Sequence, residues 1–294
     1  MKICLNCGHL FRREDWQCPK CGHLPEMHDG YPFFAPQLVD AYGGFEAQFF
    51  HRLARMEKGH FWFESRNRVV IWALRRYFTN ARNFLEIGCG TGFVLCGIHQ
   101  EFPKLLLHGS DIFVEGLMYA KKRSPEAYFL QTDAYNIPFE DEFDVIGAFD
   151  VLEHIQDDEA VLRQMYTAVR QYGGIILTVP QHPFLWSAVD EYSCHIRRYQ
   201  ARELKAKVEH GGFKVLRMTS FVSILLPLMI ASRLKRRKPN LEFDPTSELK
   251  INSLMNRILE RVLDLERWMI RLGLSFPVGG SLLLIARKVP NYGS

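Results

Sequence analysis

The sequence lacks long hydrophobic runs and a leader-like start. The opening residues, MKICLNCGHLF, carry no apolar stretch leading to a small-residue cleavage site, so no signal peptide is expected. The longest apolar run, FVSILLPLMIA at 221–231, falls well short of the roughly 20 residues a membrane helix needs. A strong excess of one charge is also missing. A net charge of +4 is too small to mark the whole chain as a binder of nucleic acid or membrane. Nor does the composition suggest disorder: 47% of residues are hydrophobic and 24% charged, the balance of a folded chain. Its 294 residues are enough for one large domain with a small appendage. The expected location is the cytoplasm, where thiols stay reduced.

Cysteine is scarce beyond the first residues. Four of the seven lie there: Cys4 and Cys7 in CLNC, then Cys18 and Cys21 in CPKC, each pair followed by Gly-His. Two residues between thiols let both sulfurs turn toward one ion, and two such knuckles supply the four thiolates of a closed structural zinc site. A zinc ribbon is therefore expected over 1–24. Residues 25–44 are punctuated by Pro25, Gly30, Pro32, Pro36 and Gly43-Gly44 and read as a linker, leaving 45–294 for the main domain.

From residue 83 onward apolar strands alternate with amphipathic helices. Strands are expected at 83–88, 105–111, 127–133, 143–150 and 174–180. Helices are expected at 59–78, 93–102, 114–123, 157–171 and 201–213. Such alternation implies a largely parallel sheet covered on both faces, with ligands at the carboxyl ends of the strands. The first strand runs into FLEIGCGTGF. Its glycines, Gly88, Gly90 and Gly92, do not fit the spacing of a dinucleotide fingerprint, which would want Gly or Ala where Phe93 stands. Glu86 just before the turn is a poor neighbour for pyrophosphate and a good one for a cationic cofactor.

LEIGCGTG resembles the first motif of the class I S-adenosylmethionine-dependent methyltransferases. Asp111 in GSD, Asp133-Ala134 in QTDA and FDVIGAFDVLEHI at 143–155 resemble the family's later motifs, the last in its ubiquinone-biosynthesis-like branch. The resemblance implies an α/β, Rossmann-like class I methyltransferase sheet with helices on both faces. It implies that Glu86, Gly88, Gly90 and Gly92 shape the pocket for the methionine part and ribose. Asp111 would take the ribose hydroxyls, Asp133 and Ala134 would flank the adenine, and Asp150 would lie near the sulfonium.

Two further segments resemble a broad bacterial methyltransferase group. HFWF (60–63) followed by Arg66 looks like a lid over the cofactor, with Arg66 facing the methionine carboxylate. The long segment 180–200 carries Trp186 and Asp190, then His195, Arg197, Arg198 and Tyr199 in the pattern H-x-R-R-Y. Two arginines beside a histidine and a tyrosine suit a phosphate or carboxylate on an acceptor. His195 and His154 are the candidate general bases.

A compact domain of this kind would close with a hairpin of 214–221 and 280–288. Residues 221–279 form a helical insertion between them. An apolar run at 222–238 ends in five Lys/Arg, and an amphipathic helix follows at 249–274; a helical hairpin is expected. It reads either as a cap over the acceptor or as an anchor lying on an anionic membrane face. The function expected is methyl transfer to a small-molecule or lipid- or glycan-linked acceptor. One alternative is an RNA methyltransferase that uses the zinc ribbon for recognition. The absent Asn/Asp-Pro-Pro-Tyr motif and the ribbon's balanced charges count against it. The other alternative is a non-catalytic scaffold. The resemblance covers about residues 57–288 and leaves the ribbon outside it.

Overall fold

The computed structural model describes residues 1–38, 47–235 and 251–289. Two short strands, β1 (Lys2–Ile3) and β2 (Leu10–Phe11), pair antiparallel beside the cysteine knuckles. A hairpin follows, β3 (Glu26–His28) and β4 (Tyr31–Phe33), and then two helices, α1 (Ala47–Met56) and α2 (Phe61–Tyr77). The alternating part comprises β5 (Asn83–Ile87), α3 (Phe93–Glu101), β6 (Leu106–Asp111), α4 (Val114–Arg123), β7 (Tyr128–Gln131), β8 (Phe143–Phe149), α5 (Asp158–Ala168) and β9 (Val169–Pro180). The chain closes through α6 (Ala188–Tyr192), α7 (Ala201–His210), β10 (Phe213–Phe221), α8 (Leu226–Lys235), α9 (Ser253–Arg271) and β11 (Ser281–Lys288).

The main sheet has the order β10-β11-β9-β8-β5-β6-β7-β4-β3. Its middle strands are parallel, while β11 runs antiparallel to both β9 and β10. All five residues of β5 are buried, as expected of a strand covered on both faces. One face carries Val70, Leu74, Leu95, Ile98 and Leu117 of α2, α3 and α4, joined by Leu259, Leu263 and Ile270 of α9. The other carries Val161, Leu162 and Met165 of α5 and Leu204 and Val208 of α7. The strand order reverses at β5, so β5 and β8 open a crevice at their carboxyl ends.

Three expectations are corrected. The stretch read as a linker, 25–44, contains the β3–β4 hairpin, and β4 extends the main sheet by pairing Phe33 with Gln131 of β7. The Gln131 side chain secures this edge: its Oε1 accepts from Ala35 N at 3.0 Å and its Nε2 donates to Ala35 O at 2.9 Å. Second, the helix expected over 157–171 ends at Ala168. Lys288 Nζ donates to Tyr166 O at 2.9 Å and Val169 O at 2.8 Å, and Val169 pairs with Phe143, so tertiary contacts start β9 well before the two glycines.

Third, α9 docks on α2 and not chiefly on α8. Arg68 of α2 pairs with Glu260 at 2.6 Å and Asp264 at 3.1 Å. Buried Glu266 accepts from Ser223 N and Ile224 N at 2.7 and 2.8 Å, tying α9 to the turn after β10. Most of the basic run at the end of 222–238, and residues 39–44 of the expected linker, lie outside the described residues. Arg233 is described, and it turns inward to Leu185 O and Asp190. No helix among the described residues is long and apolar enough to cross a membrane.

Candidate active site

A cavity of about 850 Å³ opens over the carboxyl ends of β5, β6 and β8. Gly88, Gly90, Asp111, Asp133, Ala134 and Asp150 all border it. Asp111, at the end of β6, accepts from Gly90 N at 2.7 Å and Phe113 N at 2.9 Å, so one carboxylate fixes both the glycine turn and the entry to α4. Burial pushes its carboxyl up to about 6, opposed by those backbone donors. Glu86 is buried deeper, and burial raises it well above the usual carboxylate range, with the Arg66 charge opposing. Its Oε2 has no hydrogen-bond partner among the described residues.

Arg66 projects from α2 into the same space, pairs with Asp150 and lies 4.7 Å from the centre of the Trp62 ring. Gly92 does not border the cavity. A Cβ there would sit 2.7 Å from Ala120 Cα, so this glycine admits α4 against the turn and lines no pocket.

Two residues not anticipated from the sequence tie α1 to the glycine turn. Glu57, just after α1, accepts from Thr91 Oγ1 and pairs with Arg123 at the end of α4. Arg123 also donates to Ala54 O at 2.7 Å, clamping α1 over the glycine turn. Glu57 and Arg123 are far apart in sequence, so no local pattern marks them.

Another side of the cavity is built from α6, the segment after it and the segment after β8. Asp190 is fully buried and forms a capping box with Ser187 at the start of α6. Its Oδ1 meets His195 Nδ1 at 2.9 Å and Arg198 Nε at 2.8 Å. Burial opposes ionisation of Asp190, but the His195 hydrogen bond and the Arg198 charge outweigh it and hold the carboxyl at about 2. The His154 and His195 rings meet edge to face, 4.8 Å between centres. Burial, then the His195 charge, lowers His154 to about 4. Beside them Glu153, fully buried, borders the cavity with neither carboxylate oxygen hydrogen-bonded among the described residues. Glu153, the one acid in the apolar stretch VLEHI, is not among the site residues expected from the sequence.

His154, His195, Asp190 and Arg198 thus come together as expected. Three other expected acceptor residues do not border the cavity. Tyr199 is fully buried and donates to Asp158 at 2.6 Å and Leu152 O at 3.1 Å. Arg197 pairs with Asp158 at 3.0 Å and donates to Gln156 O at 2.8 Å. Trp186 faces outward and donates to Glu191 at 3.3 Å. These three brace the loop.

At the other end of the molecule, the sulfurs of Cys4, Cys7, Cys18 and Cys21 all lie within 4.8 Å of one another. The two knuckles are matched: Gly8 N donates to Cys4 O at 2.8 Å and Gly22 N to Cys18 O at 2.9 Å. The donor set and spacing fit a tetrahedral thiolate-bound metal.

The cavity lining also fits S-adenosylmethionine. Four carboxylates (Glu86, Asp111, Asp133, Asp150) border the cavity together with Arg66, an acidic corner that suits a ligand carrying a sulfonium and an ammonium but no phosphate. Residues 85–177 match the family model described as Methyltransferase domain. The demethylmenaquinone methyltransferase of Thermotoga maritima is 26% identical over 184 residues, 61% of this chain and 78% of that protein. Several other curated relatives are matched over only 37% to 60% of their own length.

Among solved structures, the complex between the Haloferax volcanii Trm112 methyltransferase activator and a methyltransferase is matched with a TM-score of 0.56. The identity is 17%, over 83% of this chain and 98% of that one. The Haemonchus contortus phosphoethanolamine N-methyltransferase 2, solved with S-adenosyl-L-methionine, gives 0.55 at 16% identity over 86% of this chain and 59% of that one. Likeness at these identities establishes the fold. Residues 85–177 are thus a methyltransferase domain, and the named relatives support S-adenosylmethionine-dependent methyl transfer as its activity.

Proposed function

We propose that the chain methylates an apolar small-molecule or lipid-linked acceptor through a hydroxyl or similar nucleophile. The observation that carries this reading is the lining of a single cavity. Beyond the expected cofactor residues and the Glu153–His154–His195 corner, the insertion contributes Val222, Leu225, Leu228, Met229 and Leu259 to the cavity wall, with Ser232 and Arg233 at one end of the segment. An apolar wall of this kind favours an aliphatic or isoprenoid-like body over a polar one. S-adenosylmethionine supplies an activated methyl group on a sulfonium, which leaves as a neutral thioether.

The chain supplies the rest. Glu86, Asp111, Asp133 and Arg66 would hold and orient the cofactor, and α1 and α2 would exclude water from it. The His154–His195 corner would activate the acceptor, with His195 held by Asp190 so that Nδ1 donates and Nε2 presents its lone pair. The four amino-terminal cysteines would bind a structural zinc.

The RNA reading is disfavoured by where the ribbon sits. Lys2 bridges to Phe139 and Ile3 N donates to Pro138 O, at the amino end of β8, opposite the end that borders the cavity. No described residue before Phe49 lines the cavity. The test is incubation of the purified protein with S-adenosylmethionine labelled in the methyl group and a cell extract, followed by separation of lipid, small-molecule, RNA and protein fractions. Label in the lipid or small-molecule fraction is expected. Label confined to RNA would overturn the acceptor class, and absence of cofactor binding would overturn the enzyme.

A further inference from the structure

We propose that Glu153, His154 and His195 form a binding site for one divalent transition-metal ion, with an open coordination position toward the cavity. Each residue offers one ligand atom, and these atoms lie within 4.8 Å of one another. Glu153 Oε1 and His195 Nε2 are 3.8 Å apart, a separation that two ligands of one ion can take.

Three features distinguish this corner from a chance cluster. First, Glu153 is fully buried and neither oxygen is hydrogen-bonded among the described residues, while the cations nearby are engaged: Arg66 by Asp150 and Arg198 by Asp190. A buried carboxylate left in that state is costly, and a bound cation offsets the cost. Second, both imidazoles are oriented from behind. His195 Nδ1 is bonded to the Asp190 carboxylate at 2.9 Å, and His154 Nδ1 faces the Cys194 carbonyl at 3.4 Å. Carboxylate or carbonyl backing of this kind fixes the tautomer of metal-binding histidines. Third, Asp190 is itself immobilised by Ser187, Arg198 and Arg233, so the backing is rigid.

Two imidazoles and one carboxylate suit zinc, manganese or ferrous iron. Magnesium and calcium prefer oxygen ligands throughout. Three protein ligands leave a vacant position, unlike the closed four-thiolate cluster at the amino end. The site's role rests on the methyltransferase reading: an acceptor hydroxyl bound at the vacant position becomes more acidic and is fixed for attack, and its proton passes to solvent. The acceptor oxygen then forms the new bond to the methyl carbon as the carbon–sulfur bond breaks, with that electron pair going to sulfur.

The test counts metal. Full-length protein is equilibrated with zinc, desalted and analysed by plasma emission. Two ions per wild-type chain are expected, one for the thiolate cluster and one for this corner. Glu153→Gln and His195→Asn should each retain one, and Cys7→Ser should lose only the other. Asp190→Asn, altering a positioning residue, should weaken the second ion about 10- to 100-fold. Cobalt added to protein whose thiolate cluster already holds zinc should give visible absorption without sulfur charge-transfer bands, and Glu153→Gln should abolish it.

Circular dichroism checks that each variant is folded. Binding of S-adenosylhomocysteine, measured alongside, tests the enzyme reading separately, since a folded chain that fails to bind it can still be counted for metal. One ion per wild-type chain, or two retained by folded Glu153→Gln, would overturn the site.

Discussion

Gly90 and Gly92, in the turn after β5, should fail in different ways when each is given a methyl group. Gly90 has φ +51° and Gly92 φ +73°, so alanine at either carries the left-handed penalty of about 1–2 kcal/mol. At Gly90 a new Cβ meets nothing within 4 Å, and the position borders the cavity. At Gly92 it would lie 2.7 Å from Ala120 Cα and 2.8 Å from Ala120 Cβ. The first of those is backbone, so α4 must move, adding overpacking of about 1–3 kcal/mol. Gly92→Ala should therefore lose about 2–5 kcal/mol, a large share of the stability of an ordinary domain. Gly90→Ala should lose only about 1–2 kcal/mol but bind S-adenosylhomocysteine at least about tenfold more weakly, a change of about 1.4 kcal/mol. Urea unfolding followed by circular dichroism gives the first quantity and calorimetric titration the second. Equal unfolding midpoints for the two variants, or wild-type affinity in Gly90→Ala, would refute this reasoning.

Other outcomes follow from the same geometry. Asp111→Asn should weaken cofactor binding by about 1–3 kcal/mol, because a charged acceptor is lost from a buried hydrogen-bonded position; titration calorimetry measures it. Tyr199→Phe should cost about 1–2 kcal/mol of stability and leave the Michaelis constant for the cofactor unchanged, as expected of a brace; urea unfolding and initial-rate kinetics check the two halves. His108 packs against Tyr128, Phe139 and Phe143, and burial lowers it to about 4 from an ordinary 6.5. The unfolded chain then binds the extra proton between those values, so stability should fall as pH drops from about 6.5 to 4, by about 2 kcal/mol after allowing for partial solvent contact. His108→Phe should flatten that slope in unfolding curves taken across this range. If the four cysteines bind zinc as proposed, a strong chelator should open residues 1–24 to trypsin while the main sheet stays intact by circular dichroism.

Much of the cavity's border at the ends of β5, β6 and β7 was legible because its signals are local. Glu86, Gly88 and Gly90 lie in one short motif, and Asp111 and Asp133 fall at or just beyond the ends of strands whose apolar runs are plain. The cysteine knuckles were legible for the same reason, since ligand spacing is a property of a few residues. What escaped depends on distant partners. Nothing near Phe33 announces that it pairs with Gln131, and nothing near Arg68 announces Glu260 and Asp264 on α9. The H-x-R-R-Y segment misled through its geometry. The chain is extended there, with Tyr199 bridging Gln181, so neighbouring side chains point to opposite sides. Arg198 reaches the cavity, while Arg197 and Tyr199 turn to Asp158.

The pairing of β4 with β7 also bears on the order of folding. The hairpin is synthesised long before the strand it joins, with nearly a hundred residues between Phe33 and Gln131. Long-range contacts of this kind form late, after the loops they close have been ordered by other means. The cysteine knuckles and their hairpin can therefore fold early around a metal ion and wait, while β5, β6 and β7 assemble in turn. Only then is the edge of β7 covered, and an uncovered edge strand is a template for pairing with another chain. If the four cysteines hold zinc as proposed, a metal-starved cell would accumulate chains whose main sheet is complete but whose edge is open, and the loss would first be felt as aggregation during synthesis.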